Sequence, residues 1–405
     1  GIDAFPSYED ALSTGGPLEG PEIPGYAHAG PAEPVKVSEQ VLGGFGWQRD
    51  DVKLIQQMAS NGAEPISSLG YDGPLAALSP ERQNISDYFK ETVAVVTNPA
   101  IDREREIEHF SCRTVFGERP SPTVAPERVT TIELSFPIVL GGHHEMAPLN
   151  AEKLRQIAHA NKTYLLEDLW EAFPGRRSAV LDIACLESEN TKGAIERLRH
   201  EAVDLVRGGA ELIVLSDRTV FEGERRLIDP HLALSAIDSS LKTAKLGPDE
   251  VNLRRRTSLL LRSGALRNVH DVMIALGLGA DGVCPYVMFE VACVDDYETD
   301  YDNLCAALRK GVEKVISTIG IHEVRGYARQ FSAIGLKPEL AEILGSRSYF
   351  GSARGGLGFS YLDADGDERK RILTGEEPAK PAKTFRFYPK VWKAANAVAM
   401  KGGDY

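Results

Sequence analysis

The chain has 405 residues, of which 42% are apolar and 26% are charged, and its formal net charge is −13. This length exceeds what one ordinary hydrophobic core holds, so two domains are expected. The acidic balance argues against a nucleic-acid-binding surface, and no apolar run approaches the roughly 18 residues that a membrane span needs.

Five cysteines are scattered along the chain without any CxxC pair: Cys112, Cys185, Cys284, Cys293 and Cys305. This distribution matches neither a disulfide framework nor the ligand spacing of a zinc site or an iron–sulfur cluster. The odd number of cysteines and the absence of a signal sequence favour a reducing compartment, which predicts a cytoplasmic protein without a metal site.

The amino-terminal part is predicted to be an extended arm followed by helices. Residues 1–40 are rich in Pro, Gly, Ala and Glu and show no apolar periodicity, which is typical of an arm. Short helices follow, ending at Gly43-Gly44 and at Gly62. The stretch 79–96 is predicted to be an amphipathic helix with Ile85, Tyr88, Phe89 and Val93 facing a core. Asp102 then caps a charged helix.

From about Arg128 short apolar strands alternate with helices. The clearest unit is a helix that ends at Gly208-Gly209 and is followed by the buried strand ELIVLSD. Its inward-facing residues are Ile195, Leu198, Ala202, Leu205 and Val206. The alternation predicts an α/β fold with a parallel sheet, either Rossmann-like or a partial barrel. After Glu290 we expect a long helix, two short helices within 326–345 and a glycine-rich loop.

Two loops are of a kind that presents backbone rather than side chains. The first, Ser67–Pro74, contains two glycines and a proline, and the second, Thr97–Asp102, contains Asn98-Pro99. Glycine permits close approach of another group, and proline forces the preceding residue towards extended geometry. The loops are either a surface that faces a partner or a pair of ordinary structural turns.

Three local motifs are weaker. Gly277–Gly282 matches GxGxxG, but a helix precedes it and a strand follows, so we interpret it as a helix-to-strand turn. Arg354–Gly358 is either an anion nest or a surface loop. His143, His144 and Glu145 form a local histidine–carboxylate cluster, which is better explained as a polar turn than as a metal site.

Polar residues also follow the predicted strands, and carboxyl ends of parallel strands commonly bind ligands. They are Asp217, Arg218, Arg262, Ser263, Cys284, Pro285 and Tyr286, with His270 at the start of the next helix. Their spacing shows no nucleophile–base pair and no set of metal ligands. They either form the site of an α/β enzyme or an ion-pair network at a domain interface.

Several long segments resemble the large subunit of glutamate synthase, in the order found in that family. They are SLGYDGPLAALS, YFKETVAVVTNPAIDREREIEHFS, GGAELIVLSDR, RSGALRNVHDVMIALGLGADGVCPYVMFE and GVEKVISTIGI. The resemblance covers roughly residues 40–375. It implies a central domain over 41–295 and, over 296–405, the incomplete opening segment of a (β/α)8 FMN-binding domain.

The resemblance implies an oxidoreductase that makes L-glutamate from 2-oxoglutarate and glutamine-derived ammonia, with FMN and an iron–sulfur cluster in the complete enzyme. Implied partners are the rest of the flavin domain or a separate flavin subunit, a glutamine amidotransferase and an electron-donor subunit. The 405 residues contain no amidotransferase, full flavin barrel or cluster cysteines, so we expect neither bound FMN nor activity from the chain alone. The alternative is a non-catalytic scaffold that keeps the central fold and binds a partner.

Site residues follow from the same resemblance. The loop of Ser68, Leu69, Gly70, Tyr71 and Asp72 corresponds to the family loop that reaches the flavin and substrate. Thr97 and Asn98 correspond to the narrow part of the ammonia tunnel, and Arg105-Glu106 match the family's following pair. Departures from the family pattern are Leu69 in place of methionine, Tyr71 in place of aspartate, and the missing lysine in Ser317–His322.

Overall fold

Four parallel strands lie at the centre of the fold, and helices connect them in chain order. In the computed structural model the described residues are 37–64, 75–79, 81–92, 96–98, 100, 102–119, 131–141, 151–247, 251–293, 296–351, 355–379 and 389–402. The helices are α1 Glu39–Gly44, α2 Arg49–Asn61, α3 Arg103–His109, α4 Ala151–Ala160, α5 Leu166–Ala172, α6 Thr191–Arg207, α7 Pro230–Thr243, α8 Val269–Leu278, α9 Tyr286–Ala292, α10 Tyr297–Ile319, α11 Pro338–Leu344, α12 Phe359–Leu373 and α13 Pro389–Lys401. The strands are β1 Phe89–Glu91, β2 Thr114–Gly117, β3 Thr131–Leu134, β4 Ser178–Asp182, β5 Ala184–Cys185, β6 Leu212–Ser216, β7 Arg226–Leu227, β8 Ser258–Arg262, β9 Gly282–Cys284, β10 Phe331–Ile334 and β11 Ser348–Tyr349.

The central sheet has the order β4-β6-β8-β9, and all its strand pairs are parallel. Every residue of β6, β8 and β9 is buried, which is why their sequences are nearly continuous apolar runs. Helices α6, α7 and α8 connect successive strands. The predicted α/β architecture is confirmed.

The strand order follows the chain without reversal, as it does in a barrel and not in a doubly wound sheet. Isolated parallel bridges join Ile138 to Val283 of β9 and Leu140 to Leu165. An early segment of the chain therefore lies beside the last strand, as happens when a parallel sheet curls towards closure. Of the two predicted arrangements, the described strands have that of a partial barrel.

Alternate residues of the central strands contribute to two different apolar clusters. Ile213, Leu215, Leu259 and Leu261 belong to the larger cluster, which includes buried residues of α6, α7 and α8. Leu212, Val214 and Leu260 belong to the smaller one, with Phe116 of β2, Leu169 of α5 and Phe173. Both faces of the sheet are thus covered, as a parallel sheet requires.

The prediction of an amphipathic helix over 79–96 is wrong. Residues Ile85–Tyr88 form one short 3₁₀ turn, and β1 follows it directly. β1 pairs antiparallel with β10, with Phe89 opposite Ala333. This pairing outweighs the local helical periodicity, because a strand partner distant in sequence offers backbone hydrogen bonds that the isolated segment lacks. Ile85, Tyr88 and Phe89 are nevertheless buried, as predicted, whereas Val93 lies outside the described residues.

The first of the two short helices predicted within 326–345 is wrong, since the strand β10 lies there, and the second is confirmed as α11. β10, α11 and β11 form a parallel βαβ unit. Because β1 and β10 share a sheet and α10 packs against α2, residues on the two sides of position 295 are in direct contact. A domain boundary at that position stays a prediction.

None of the helices in the described ranges is both long and apolar enough to cross a lipid bilayer.

Candidate functional site

Some of the site residues predicted from the sequence lie within the described part of the chain, and others lie outside it. Ser68, Leu69, Gly70, Tyr71 and Asp72 lie outside the described residues, as do His143, His144, Glu145 and Arg354. Thr97 and Asn98 are described, and both are exposed. The Thr97–Asn98 segment is therefore the part of the predicted site that the described structure places.

This segment lies beside the carboxyl end of α10. Helix α10 ends at Gly320, which adopts φ +72°, a left-handed conformation that favours glycine. A Cβ atom on residue 320 would overlap Cγ1 of Val96, the residue before Thr97. Gly320 thus allows the chain that carries Thr97 and Asn98 to approach the end of α10 closely.

Helix α3 is attached to the same half of α10 by charged and polar contacts. Arg103 of α3 forms an ion pair with the buried Glu313 of α10, and its Nη1 lies 3.2 Å from Oε2 of Glu106. The hydroxyl of Ser317 donates to Oε1 of Glu106 at 3.2 Å. We call this contact of Arg103 and Glu106 with Glu313 and Ser317 the α3–α10 junction.

The chain after each of these two helices extends the junction. The amide of Ser111 donates to the carbonyl of His322 at 2.7 Å, and the amide of Val324 donates to the carbonyl of Ser111 at 2.8 Å. The rings of Phe110 and His322 lie 5.5 Å apart. The described residues of two segments singled out by family resemblance, the one around Arg103 and Glu106 and the one around Ser317 and His322, are consequently held together.

Helix α3 itself contributes nothing to the core, because none of its seven residues is buried. Asp102 caps it by accepting from the amide of Arg105 at 2.9 Å, which confirms the predicted cap. Arg105 is half exposed and lies 3.5 Å from Asp102. Ile107 is 58% exposed, which is unusual for an isoleucine on a helix. The outer face of α3 is fully available to solvent in this chain.

A substitution at Gly320 tests the close approach at the junction. Gly320→Ala is expected to lower the free energy of unfolding by about 2 kcal/mol, from the left-handed conformation and the overlap with Val96 together. Gly375→Ala is the matched control: Gly375 has φ +79°, and a Cβ there meets nothing within 4 Å, so about 1 kcal/mol is expected. Urea unfolding measures both, and equal losses would contradict the contact.

The strand ends bring together most of the polar residues predicted to meet there. Asp217 Oδ2 accepts from the hydroxyl of Ser263 at 2.5 Å and from the amide of Gly264 at 3.1 Å. Asp217 Oδ1 accepts from the hydroxyl of Tyr286 at 2.9 Å. The guanidinium of Arg262 stacks 4.7 Å above the ring of Tyr286. We call Asp217, Arg262, Ser263 and Tyr286 the strand-end cluster.

The strand-end cluster is closed to solvent. All four of its residues are almost completely buried. The ring of Phe45 packs so closely on Gly264 that a Cβ there would lie 2.7 Å from Cε2 of the ring, and Trp47 donates to the carbonyl of Gly264 at 2.9 Å. Burial raises the pKa of Asp217 to about 6, against the opposing effects of Ser263, Tyr286 and Arg262. This arrangement joins parts of the chain and shields the strand ends from solvent.

Three other residues predicted at the strand ends have partners outside the strand-end cluster. Arg218 lies outside the cluster, with its guanidinium 5.2 Å from the ring of Phe221. Cys284 is buried and donates from Sγ to the carbonyl of Gly141 at 3.4 Å. His270 bonds the carbonyl of Ser86 through Nε2 at 2.9 Å, and burial lowers its pKa to about 4. A neutral, buried histidine tied to backbone is a packing element.

Sequence reasoning missed a buried ion-pair network centred on Arg267. Its guanidinium donates to Asp87 at 2.7 Å, to Asp271 at 2.8 Å and to the carbonyl of Gly46 at 2.9 Å. Asn268 extends the network by donating to Asp51 at 2.9 Å. The only local sign of this network in the sequence is the spacing of Arg267 and Asp271, which are four residues apart at the start of α8. The network fastens the amino-terminal segment to the α/β body.

In the described part of the chain, no group of three or more His, Cys, Asp or Glu side chains has the arrangement of a metal site. All five cysteines are free of disulfides, and four of them are buried.

The chain is similar to a known protein family over most of its length. Residues 40–337 match the model of the glutamate synthase central domain. The chain is 31% identical over 315 residues to glutamate synthase [NADH] of Schizosaccharomyces pombe, covering 73% of this chain and 14% of that protein. It is 30% identical over 341 residues to the glutamate synthase [NADPH] large chain of Bacillus subtilis, covering 81% and 20% respectively.

A third relative, the chloroplastic ferredoxin-dependent glutamate synthase of Oryza sativa subsp. japonica, is 30% identical over 74% of this chain and 18% of its own length. The chain thus spans about a fifth or less of the length of these relatives. Among solved structures, a soluble mutant of (S)-mandelate dehydrogenase from Pseudomonas putida is 13% identical, with a TM-score of 0.38, over 74% of this chain and 96% of that one. A similarity this low adds nothing to what the sheet itself shows.

Proposed function

The chain belongs to the family of glutamate synthase central domains, and we propose that it serves as the connecting domain of an oxidoreductase that makes L-glutamate. The substrates in this proposal are 2-oxoglutarate and ammonia released from glutamine. The observation that supports it most is the α3–α10 junction, where side-chain and backbone hydrogen bonds hold two separate family segments together. A cytoplasmic location belongs to the same proposal, since all five cysteines are free.

The position of Asn98 supports a role at a contact between domains. Val96, two residues before Asn98, lies close to Gly320, and Asn98 itself is exposed. An exposed amide is suited to donate and accept hydrogen bonds across an interface or along a polar passage. We assign Thr97 and Asn98 to the wall of the ammonia path in the complete enzyme.

The flavin belongs to a partner in this proposal. The strand-end cluster does not fit FMN, because the carboxylate of Asp217 already accepts from Ser263, Gly264 and Tyr286, and Phe45 and Trp47 cover Gly264. We infer that Ser68, Leu69, Gly70, Tyr71 and Asp72 face a flavin held by the rest of the flavin domain or by a separate subunit. The βαβ unit of β10, α11 and β11 has the connection expected for the opening of a (β/α)8 barrel. A glutamine amidotransferase and an electron-donor subunit complete the proposed assembly.

The first test uses the chain as it is. The purified chain is expected to be colourless and to form no glutamate from glutamine and 2-oxoglutarate with a chemical reductant. Its absorbance spectrum and an amino-acid assay measure these two properties. A visible flavin absorbance band that persists on gel filtration would overturn the assignment of the flavin to a partner.

Replacing Asn98 tests the ammonia path in the complete enzyme. Asn98→Ala is expected to lower glutamine-dependent turnover about tenfold while ammonia-dependent turnover changes little, because only the first reaction needs transfer between sites. Asn396→Ala, at an exposed asparagine of α13, is the control and is expected to leave both rates unchanged. Equal losses of the two rates in Asn98→Ala would count against a role in the path.

A non-catalytic scaffold is the second candidate, and the closed strand-end cluster favours it, since the usual ligand position of a parallel sheet is filled by the protein itself. The exposed face of α3, with Ile107, would then be the partner surface. Adding the chain to a separately prepared flavin domain discriminates the two: restored glutamate formation supports the connecting domain, and binding without activity supports the scaffold.

A further inference from the structure

A cleft of about 540 Å³ lies at the amino-terminal edge of the central sheet, opposite the strand-end cluster. Asp281, which directly precedes β9, and Arg254, which precedes β8, form part of its wall. We propose that this cleft binds a compact dianion such as phosphate or a short dicarboxylate. The proposal concerns a site separate from the α3–α10 junction and does not depend on the proposed function.

The charges of the cleft do not balance. Within the described residues its wall holds five cationic side chains, Arg119, Lys242, Arg254, Arg325 and Arg329, and three anionic ones, Asp238, Asp281 and Glu323. Arg325 and Glu323 pair with each other at 2.8 Å. The remaining four cations share two carboxylates, which leaves an excess of two positive charges in a protein whose net charge is −13.

The two carboxylates organise the cations. Asp238 is bonded by Arg254 at 3.0 Å, by Lys242 at 2.7 Å and by Arg329 at 3.4 Å. Asp281 is bonded by Arg254 at 2.7 Å and forms an ion pair with Arg119. Arg254 is buried and has all three of its nitrogens engaged. Arg254 therefore holds the cluster together, and the outer cations are the ones that can meet a ligand.

Arg119 and Lys242 have the exposure that a ligand contact needs. The side chain of Lys242 is 49% exposed, and that of Arg119 is 40% exposed. Each contributes one hydrogen bond to its carboxylate through a single nitrogen. A guanidinium carries five N–H donors and an ammonium carries three, so both side chains have donors to spare for a second anion.

The ligand class follows from this charge and size. A dianion neutralises the excess of two positive charges, and carboxylate or phosphate oxygens match the forked donors of arginine. The volume lies within the range of roughly 300–1,000 Å³ typical of small-molecule sites. His322 also lines the cleft, and its carbonyl is bonded to Ser111 beyond α3, so an occupied cleft would stiffen the connection to the α3–α10 junction.

Isothermal titration of the whole chain with potassium phosphate and with potassium succinate, at low ionic strength, tests the proposal. Saturable binding of one equivalent of either anion is expected, and the one that binds more tightly identifies the ligand as phosphate-like or dicarboxylate-like. The double variant Arg119→Gln/Lys242→Gln is expected to weaken that binding by about tenfold or more. Asp238 and Asp281 keep Arg254 in this variant, so its melting temperature serves as the check of folding.

The matched control is Arg155→Gln/Lys153→Gln on α4. Arg155 is 39% exposed and pairs with the buried Asp168, and Lys153 is 49% exposed and pairs with Glu298. This variant removes two positive charges of the same exposure elsewhere on the protein, and we expect unchanged anion affinity. The proposal is overturned if neither anion binds saturably, if both double variants lose the same affinity, or if acetate and chloride bind as tightly at equal ionic strength.

Discussion

Replacing Arg267 with methionine is expected to lower the free energy of unfolding by about 3–5 kcal/mol, the largest loss we predict for a single substitution in this chain. Methionine keeps most of the volume of arginine, so the loss comes from the charges. Asp87 and Asp271 are both nearly fully buried, and each is bonded to the Arg267 guanidinium. Without it, two buried carboxylates are left without their cation, which is far costlier than leaving one at the surface.

The loss is expected to depend on pH in a particular direction. Burial alone would raise the pKa of Asp271, but Arg267 outweighs burial and lowers that pKa to about 2. In the wild type this contribution to stability is present above the ordinary pKa of 3.8 and is lost only as the pH falls through about 2. In Arg267→Met no cation opposes the effect of burial on the two carboxylates. The loss in free energy of unfolding relative to the wild type is therefore greatest near neutral pH, and it shrinks in acid as the carboxylates take up protons.

Urea unfolding of the wild type and the variant between pH 4 and pH 8 measures both the loss and its pH dependence. Arg207→Met is the surface control, because Arg207 and Asp204 are both exposed and 3.8 Å apart, and a change within about 0.5 kcal/mol is expected. Arg267→Lys keeps the charge but loses the fork that reaches two carboxylates, so its loss should be intermediate. A deficit of Arg267→Met that is the same at every pH would identify packing as its cause.

The parts of the fold that sequence predicted well are those whose stabilising contacts are local or periodic. In α6 the predicted inward-facing residues Ile195, Leu198, Ala202 and Val206 are buried, and Leu205 is only partly so. The GxGxxG match at 277–282 is a helix-to-strand turn, as interpreted, with Gly279 at φ +122° ending α8. Such features follow from helix periodicity and from the terminator glycine alone.

The failures have long-range causes. β1 is a strand because it pairs with the distant strand β10, with Phe89 opposite Ala333, and not because of its own sequence pattern.

 The Arg267 network was missed for the same reason, since Asp87 is 180 positions from Arg267. No local pattern contains information about partners so far apart.

The strand ends show how a correct spatial prediction can leave the function open. Asp217, Ser263 and Tyr286 do converge, because the carboxyl ends of neighbouring parallel strands meet at one edge of the sheet. Their partners are each other, and Phe45 and Trp47 from the segment after α1 cover them. Those two aromatic residues precede the sheet by more than a hundred positions, so the choice between a binding site and an interface depended on the tertiary fold.

A second large effect is expected at Asp217. Burial raises its pKa from the ordinary 3.8 to about 6 in the folded chain, against the lowering effects of Ser263, Tyr286 and Arg262. A raised carboxyl pKa means that stability is highest where the group is protonated in both states, below about pH 4, and is lost as the pH rises through about 6. A difference of about two pKa units corresponds to about 3 kcal/mol. The fully buried carboxylate is thus a net cost to folding at neutral pH.

Asp217→Asn isolates this effect, because asparagine is neutral at every pH and its amide oxygen can still accept from Ser263 and Gly264. Relative to the wild type, the variant is expected to gain about 3 kcal/mol between pH 4 and pH 7, measured by urea unfolding at each pH. Asp204→Asn on exposed α6 surface is the control, with a change within about 0.5 kcal/mol. A variant whose difference from the wild type is constant over this range would show that Asp217 is ionised at low cost, and that the covering by Phe45 and Trp47 admits water to the strand ends.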